Sequence, residues 1–268
     1  EVAVSAYAAR YCHLIPTMHA MSQKIALAEM LFSQGFGTRR VCAGLVQQGL
    51  VEIDGAVQTD AALLLAAHAG MSFRVQGQDW QYHPKACIML HKPAGYECSQ
   101  KPTAWPPIYT LLPSPLRMRP SSGKQAGVQA VGRLDQDTTG LLILTDDGQL
   151  LHRMASPKHH VPKVYQVTCR HPLDSSQIQR LLDGVVLDDD PKPVRAAACL
   201  QTAETTLDLT LVQGKYHQVK RMLAAVGNRV EGLHRSQIGQ LQLPGDLAAG
   251  HWRFLTPEQL KLLQIQAG

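Results

Sequence analysis

The sequence has few cysteines, and their spacing does not indicate a metal site or a disulfide framework. The six cysteines are scattered, and no two of them form a C-x-x-C pair. A zinc ribbon, a redox dithiol and a small disulfide-rich scaffold all depend on closer spacing or greater density of cysteines. The pattern is typical of the reducing cytoplasm, so we expect a cytoplasmic protein.

The chain also lacks a hydrophobic run approaching the roughly 18 residues that a membrane-spanning helix needs. The stretch before Met21 has neither the basic start nor the apolar middle of a secretory signal. We interpret residues 1–20 as an extension that is either disordered or not native. No internal repeat occurs at the period of a solenoid. We therefore expect neither a membrane protein nor a repeat protein.

The net charge of +5 is unevenly distributed along the 268 residues. From Glu1 to Trp80 the chain has five basic and six acidic residues, so the excess of positive charge belongs to the remainder. A chain of this length with 45% hydrophobic residues is long enough for two domains. The charge suggests an anionic partner, which the second part of the chain would attract more strongly.

The first part of the chain reads as two helices and a hairpin. One helix is predicted from Lys24 to Gly35, and a second over residues 38–48 with Thr38 as its N-cap. Two short apolar runs then meet at Asp54-Gly55, a dipeptide that is typical of tight hairpins. The polar residues 78–84 predict a linker.

This first part, MSQKIALAEMLFSQGFGTRRVCAGLVQQGLVEIDGAV, resembles the S4 RNA-binding domain. The resemblance implies an RNA-binding domain over residues 21–77. Arg39 and Arg40 lie at the start of a predicted helix. At this position, both the positive side chains and the dipole of the helix favour binding of a phosphate group. Alternatively, the two arginines form an ordinary solvated face. Because the segment is not net basic, we expect it to guide docking rather than supply most of the binding.

The second part, residues 85–268, alternates strand-like and helix-like segments. The predicted strands are CIMLHKP at 87–93, LLILT at 141–145, KVYQVTC at 163–169 and TTLDLTLV at 205–212. The predicted helices are Gln149–Met154, Ser175–Leu182, Tyr216–Val226 and Pro257–Leu263, the last with a capping box from Thr256 and Gln259. Strands separated by short helices indicate an α+β domain with a mixed, largely antiparallel sheet.

The stretch GRLDQDTTGLLILTDDG at 132–148 places charged residues directly before the apolar run at 141–144. Moving an isolated charge out of water costs several kcal/mol, so we expect a neighbouring group that requires these charged side chains. The residues alone leave the reason open. Asp135 is compatible with a turn or a cap, and Asp137 or Asp147 would serve equally well as a catalytic carboxylate.

Four blocks of this second part, in order, resemble the RsuA type of bacterial ribosomal RNA pseudouridine synthase. They are LHKPAGYECS at 90–99, VGRLDQDTTGLLILTDDG at 131–148, SPKHHVPKVYQV at 156–167 and GKYHQVKRMLAAVGNRVEGLHRSQIG at 214–239. The resemblance implies a pseudouridine synthase catalytic domain over 85–268, a uridine of ribosomal RNA as substrate, and no cofactor or metal. The segments TDDGQLLHRMASPKHH and GKYHQVKRMLAAVGNRV are most similar to the type that acts on small-subunit (16S) rRNA.

The resemblance also assigns roles to individual residues. It makes Asp135 the catalytic residue, and a carboxylate is able to act as a nucleophile that forms a covalent intermediate. Arg133 would fill or brace the space that an extruded base leaves, and Tyr165 would stack on the uracil ring. Lys220 would be the cation beside Asp135, in place of an arginine common in relatives. Whether Asp135 attacks ribose C1′ or uracil C6 stays open.

Basic residues near these blocks are predicted to contact RNA phosphates; they are Arg153, Lys158, Lys163, Arg221 and Arg235. The pair His159-His160 has no further ligands at suitable spacing, so we expect no metal site. Three alternatives remain, namely a large-subunit (23S) rRNA substrate, a non-catalytic ribosome-assembly factor, and a hydrolase that uses Asp135 and Asp137 as an acid and base pair. We expect a monomer.

Overall fold

The computed structural model describes residues 23–121, 127–155, 161–188 and 190–263. The chain forms two compact units: the first contains the described residues up to Phe32 and Thr38–Pro84, and the second contains Ser33–Gly37 and the described residues from Lys85 onward. The predicted extension 1–20 and Lys158 lie outside the described residues. Within the described part of the chain, no helix is long and apolar enough to cross a membrane.

The first unit is built from short helices and strands. Its elements are β1 (Gln23–Ala26), α1 (Leu27–Gln34), α2 (Arg39–Gln47), β2 (Val51–Ile53), β3 (Ala56–Gln58), β4 (Leu64–Ala67), β5 (Ser72–Val75) and β6 (Gln78–Gln81). The second helix is confirmed with its cap, since the Thr38 hydroxyl accepts a hydrogen bond from the Val41 amide at 3.3 Å. The hairpin at Asp54-Gly55 is also confirmed, and β2 pairs antiparallel with β3 around it.

Two predictions for this unit are wrong. The first helix begins at Leu27 rather than Lys24, because Gln23–Ala26 forms a strand that pairs with β4. Residues 78–84 do not form a simple linker, since Gln78–Gln81 is β6 and pairs antiparallel with β5 in a four-stranded sheet. The strand β6 lies at the edge of that sheet and is largely exposed, so its sequence is polar and resembles a linker.

The second unit contains a nine-stranded sheet and several helices. Its elements are β7 (Cys87–Lys92), a 3-10 helix (Ile108–Leu111), α3 (Ser114–Met118), β8 (Gln129–Ala130), β9 (Thr139–Thr145), α4 (Gly148–Ala155), β10 (Lys163–Cys169), α5 (Ser175–Asp183), β11 (Val185–Leu187), β12 (Asp190–Val194), β13 (Ala198–Ala203), β14 (Thr206–Leu211), α6 (Gln218–Ala225), β15 (Val230–Ile238), β16 (Leu241–Gln242), β17 (Trp252–Phe254) and α7 (Pro257–Leu262). The main strand order is β13-β14-β10-β15-β9-β7-β17.

This sheet is mixed and largely antiparallel, as the sequence predicts. The pair β9–β15 is parallel, whereas β7, β10, β13, β14 and β17 pair antiparallel with their neighbours in the described residues. The capping box of α7 is confirmed, with Thr256 and Gln259 each bonded to the other's backbone amide. The helix predicted from Tyr216 begins two residues later, at Gln218.

The apolar run in β9 is buried on both faces of the sheet. Leu141 and Ile143 pack into one hydrophobic cluster, which includes Met89, whereas Leu142 and Leu144 pack into another. All four residues at 141–144 are fully buried. A strand covered on both sides reads as a continuous apolar run rather than an alternating one. The loop before this strand is therefore fixed to a rigid part of the core.

The start of β9 also approaches β15 closely. Gly140 pairs with Arg235 across the parallel strands and has a φ of 110°. A Cβ atom at this position would lie 2.3 Å from the Arg235 carbonyl oxygen, so a larger residue would force the strands apart. The glycine that ends the motif GRLDQDTTG thereby brings the residues of β15 to the loop at 132–138.

Candidate active site

The loop at residues 132–138 carries Asp135 and is anchored by a buried leucine. Leu134 is only 6% exposed and packs with the core residue Leu142. The Leu134 amide donates a hydrogen bond to the sulfur of Cys98 at 3.5 Å. Because its neighbour is fixed in the core, Asp135 has a defined position above the start of β9.

Lys92, at the end of β7, holds the other half of this loop. Its side chain is fully buried, and its Nζ donates hydrogen bonds to the carbonyl oxygens of Pro93 at 3.1 Å, Gln136 at 3.1 Å and Thr138 at 2.8 Å. The Gly95 amide donates to the same Gln136 oxygen at 2.8 Å. Burial lowers the pKa of Lys92 below its usual value. This lysine is therefore a structural clamp on the loop.

Asp135 is partly accessible and faces two basic side chains from the start of α6. Its Oδ2 lies 3.2 Å from Lys220 Nζ, and its Oδ1 lies 3.4 Å from His217 Nε2. The Asp135 side chain is 27% exposed, so a reacting group is able to reach it. The predicted pairing of Asp135 with Lys220 is therefore present in the geometry, with His217 as an additional neighbour.

The same Lys220 binds Asp137 more closely. Its Nζ lies 2.7 Å and 2.9 Å from the two oxygens of that carboxylate. Partial burial opposes ionisation of Asp137, but the hydrogen bond and charge of Lys220 outweigh it, so the pKa of Asp137 is lowered. Burial likewise opposes the charge of Lys220, yet the two carboxylates raise its pKa overall. One ammonium group thus serves both carboxylates.

This arrangement disfavours Asp137 as the acid in an acid and base pair of the kind that hydrolases use. The acid of such a pair requires a raised pKa so that it stays protonated. Asp137 has a lowered pKa, and its side chain is 52% exposed. Asp137 therefore remains a carboxylate that shares Lys220 with Asp135.

A cavity of about 830 Å³ opens beside Asp135. Its lining includes Arg133, Asp135, Lys163, Tyr165 and Arg235. Tyr165 and Arg235 are directly opposed in the antiparallel pair β10–β15, so their side chains lie on the same face of the sheet. The half-buried Tyr165 is placed on the wall of a space large enough for a nucleotide.

Arg235, which we predicted to contact an RNA phosphate, is almost fully buried. Only 2% of it is exposed, and its Nε donates a hydrogen bond to the Leu141 carbonyl oxygen at 2.8 Å. Its buried Nη2 has no hydrogen-bond partner among the described residues. The close approach of β15 to Gly140 places this arginine inside the wall of the cavity. It is suited to a group within the cavity rather than to a phosphate on the outer surface.

The other predicted basic residues of this unit differ in exposure. Arg133 is exposed beside Asp135, and Arg153 is exposed on α4. Lys163 is half-buried, and its Nζ donates a hydrogen bond to the Val161 carbonyl oxygen at 2.9 Å. Burial, with Arg235 nearby, lowers the pKa of Lys163. Arg221 is half-buried and donates a hydrogen bond to the Tyr216 carbonyl oxygen at 3.1 Å.

In the first unit, the two arginines predicted to bind RNA have different surroundings. Arg39 forms two hydrogen bonds of 2.9 Å with the carboxylate of Glu29 and lies 4.0 Å over the ring of Phe32. Arg40 is exposed on the same helix. Both are accessible to a ligand, although Arg39 would have to exchange its carboxylate for a phosphate.

Sequence reasoning gave no specific role to Lys92, His217 or Cys98. Lys92 had one usable signal, since a lysine directly before a proline at the end of an apolar strand is an unusual place for a charge. His217 has a left-handed backbone, with φ 48° and ψ 32°, which sequence did not reveal. In the described residues, no group of three or more His, Cys, Asp or Glu side chains is placed to hold a metal ion.

Known proteins resemble this chain over most of its length. The profile of the family described as "RNA pseudouridylate synthase" matches residues 86–225. The "Ribosomal small subunit pseudouridine synthase A" of Pasteurella multocida is 38% identical over 83% of this chain and 92% of its own, and that of Yersinia pestis is 39% identical over 87% and 95%. A solved "pseudouridylate synthase" is 33% identical, covers 89% of this chain and 99% of its own, and has a TM-score of 0.61. This chain therefore belongs to the RNA pseudouridylate synthase family and is an RNA pseudouridine synthase.

Proposed function

We propose that the protein converts a uridine of small-subunit ribosomal RNA into pseudouridine, with Asp135 as the catalytic nucleophile. The observation that carries this proposal is the position of Asp135, which is accessible at the mouth of the 830 Å³ cavity and lies 3.2 Å from Lys220. The choice of small-subunit RNA is supported by the names of relatives that share 38–39% of their residues with this chain.

The reaction rearranges the bonds of one nucleotide without any net loss of atoms. The bond between ribose C1′ and uracil N1 breaks, the base turns, and a bond between C1′ and uracil C5 forms. The proton that C5 loses is balanced by one that N1 gains. A carboxylate nucleophile at C1′ or at uracil C6 divides this rearrangement into easier steps. The Lys220 ammonium group places a positive charge 3.2 Å from the Asp135 carboxylate.

The substrate base must leave the RNA stack to reach Asp135. Extrusion costs about a few kcal/mol, and stacking on an aromatic side chain returns about 1–3 kcal/mol. Tyr165 is placed to provide that stacking, since it lines the same cavity as Asp135. The exposed Arg133, two residues before Asp135, is placed to fill or brace the position that the base leaves.

Contacts outside the cavity would position the RNA. We assign phosphate contacts to Arg153, Lys158, Lys163 and Arg221, and a docking role to the S4-like first unit through Arg39 and Arg40. Because these contacts read the sugar-phosphate backbone, they orient the RNA rather than choose the uridine. We further propose that the enzyme acts in the cytoplasm as a monomer on a small-subunit particle or its RNA.

The test maps pseudouridines in 16S and 23S rRNA by chemical labelling and primer extension after incubation of unmodified ribosomal particles with the protein. A single new site in 16S rRNA that is absent with Asp135→Ala supports the proposal. A site in 23S rRNA would overturn the substrate and keep the enzyme. If wild-type protein binds the particles but forms no site in either RNA, the protein is an assembly factor and the proposal is wrong.

A further inference from the structure

Tyr216 is a large aromatic side chain that the fold leaves exposed. It lies just before α6, and 67% of it is accessible to solvent. Its ring stacks on that of His217, with the centroids 3.8 Å apart and an angle of 22° between the planes. One face of the tyrosine ring is thus covered by His217. Because the residue contributes little buried area, its position is not explained by packing of the core.

The Tyr216–His217 stack lies between two cavities. One is the 830 Å³ cavity that contains Tyr165, and the other is a smaller cavity of about 460 Å³. Both are lined by Tyr216 and His217, together with the catalytic loop from Arg133 to Asp135. The larger cavity suits the target uridine. The smaller cavity is therefore available to another part of the RNA.

The stack is held in place by the backbone around it. The Lys215 amide donates a hydrogen bond to Gln218 Oε1 at 2.9 Å, and the Arg221 amide donates to the His217 carbonyl oxygen at 3.0 Å. His217 has the left-handed backbone described above, a conformation that costs free energy in residues other than glycine. The structure therefore maintains a strained backbone at His217, whose ring lies 3.4 Å from Asp135 and supports the exposed ring of Tyr216.

The lining of the smaller cavity favours a base rather than a phosphate. Its charged residues include three of each sign, counting His217 as basic: Arg133, His217 and Lys220 against Glu97, Asp135 and Asp137. The Glu97 carboxylate is already bonded to the backbone amides of Thr103, Ala104 and Trp105. A phosphate site would have an excess of basic side chains. A flat exposed ring instead suits stacking with any of the four nucleobases.

We propose that Tyr216, stacked on His217, is a second base-stacking platform that holds a nucleobase next to the target uridine in the RNA. The proposal rests on the function proposed above and adds a binding site for a flanking nucleotide. Holding the neighbour on one side of Asp135 fixes the strand while the target base enters the larger cavity on the other side. Because stacking accepts any base, the platform makes the shape of the RNA strand beside the target, rather than its sequence, part of substrate selection.

The test compares Tyr216→Ala with Tyr216→Phe, using an unmodified 16S rRNA transcript as the probe. Tyr216→Ala is expected to raise KM by about 5- to 150-fold, the range that stacking of one base supports, with the loss mainly in KM rather than in kcat. Tyr216→Phe retains the ring and is expected to restore most of the affinity. Leu200→Ala is the matched control, because Leu200 is 64% exposed on β13 and lines neither cavity.

The salt dependence of transcript binding gives a second readout. Loss of a stacked base lowers the affinity at every salt concentration and leaves the slope unchanged, whereas loss of a phosphate contact lowers the slope by about one. The proposal is overturned if Tyr216→Ala binds and reacts like Leu200→Ala, if Tyr216→Phe is as impaired as Tyr216→Ala, or if the slope falls. If wild-type protein forms no pseudouridine, the proposed function fails, and the binding comparison still decides the platform.

Discussion

The two compact units of this protein use their basic residues in different ways. In the first unit, Arg39 pairs with Glu29 and Arg74 pairs with Asp79, and all four side chains are substantially exposed. Exposed ion pairs add little to folding stability, since water competes for both partners. Such arginines are able to exchange a carboxylate for an RNA phosphate at small cost.

In the second unit, several basic residues are committed to the protein itself. Lys92 and Arg235 are buried and bind backbone carbonyl oxygens around the start of β9. Lys220 is partly exposed and serves the carboxylates of Asp135 and Asp137. Basic residues that build the site are therefore distinguished from those available to RNA by their burial and their hydrogen-bond partners, and not by the number of charges in each unit.

Substitution of Lys220 is expected to have the largest effect among the basic residues. Lys220→Met removes the charge that compensates Asp135, so we expect kcat to fall on the order of 100-fold or more. Lys220→Arg keeps the charge and is expected to recover a large part of the rate. Initial rates of tritium release from RNA labelled at uracil C5 would measure both. Equal impairment in the two variants would show that something other than charge is required.

Substitution of Lys92 should chiefly affect stability. Lys92→Met removes the donor to three carbonyl oxygens, of which that of Gln136 keeps another donor, the Gly95 amide. We expect a loss of roughly 2–4 kcal/mol in the free energy of unfolding. Urea denaturation would measure it. The exposed Lys85, just before β7, provides the control Lys85→Met, which should change stability very little. If the two variants are equally stable, Lys92 is not a clamp.

The pH dependence of the reaction rate tests the pairing of Asp137 with the Lys220 ammonium group. The pKa of Asp137 lies below its usual 3.8, and the pKa of Lys220 lies above its usual 10.5. Their interaction therefore stabilises the fold throughout the pH range from 3.8 to 10.5. Its contribution is lost only as pH falls through the lowered pKa of Asp137 or rises through the raised pKa of Lys220. Rate profiles of wild type and Asp137→Asn from about pH 5 to pH 9 should therefore have the same shape. An acidic limb that disappears in Asp137→Asn would contradict this.

The smallest expected effect concerns the first unit. Arg39→Ala with Arg40→Ala should weaken RNA binding several-fold and lower its salt slope by up to about two, because each phosphate contact contributes about one. Glu29→Gln should have the opposite effect on affinity, since it frees Arg39 from its pair. Filter binding at several salt concentrations would measure both. Unchanged binding in the double variant would remove this unit from RNA recognition.

Much of the fold follows from local sequence patterns. The buried run in β9 and the strand at Lys163–Cys169 were predicted because their apolar residues are grouped or alternate. The strand β15 was missed, since its sequence VEGLHRSQI is rich in polar residues although most of its residues are at least partly buried. The strand β6 was missed because its exposed residues carry no hydrophobic pattern.

Only those residues of the candidate active site that lie in the matching sequence blocks were predictable from the sequence. Asp135 follows from the resemblance, and its partner Lys220 follows from the same comparison. The sharing of Lys220 with Asp137 and the burial of Arg235 depend on tertiary packing that brings α6 and β15 to the loop. Residue types and spacing do not report such long-range contacts, so the sequence did not reveal that Arg235 is buried.

The most direct test of the central claim compares two carboxylates in one experiment. Single-turnover pseudouridine formation is measured with Asp135→Asn and Asp137→Asn on the same unmodified 16S rRNA, with binding measured in parallel. We expect that Asp135→Asn binds the RNA but loses at least about 10⁴-fold in rate, whereas Asp137→Asn keeps most of the rate. Substantial activity in Asp135→Asn, or its loss in Asp137→Asn alone, would contradict the assignment of Asp135 as the nucleophile.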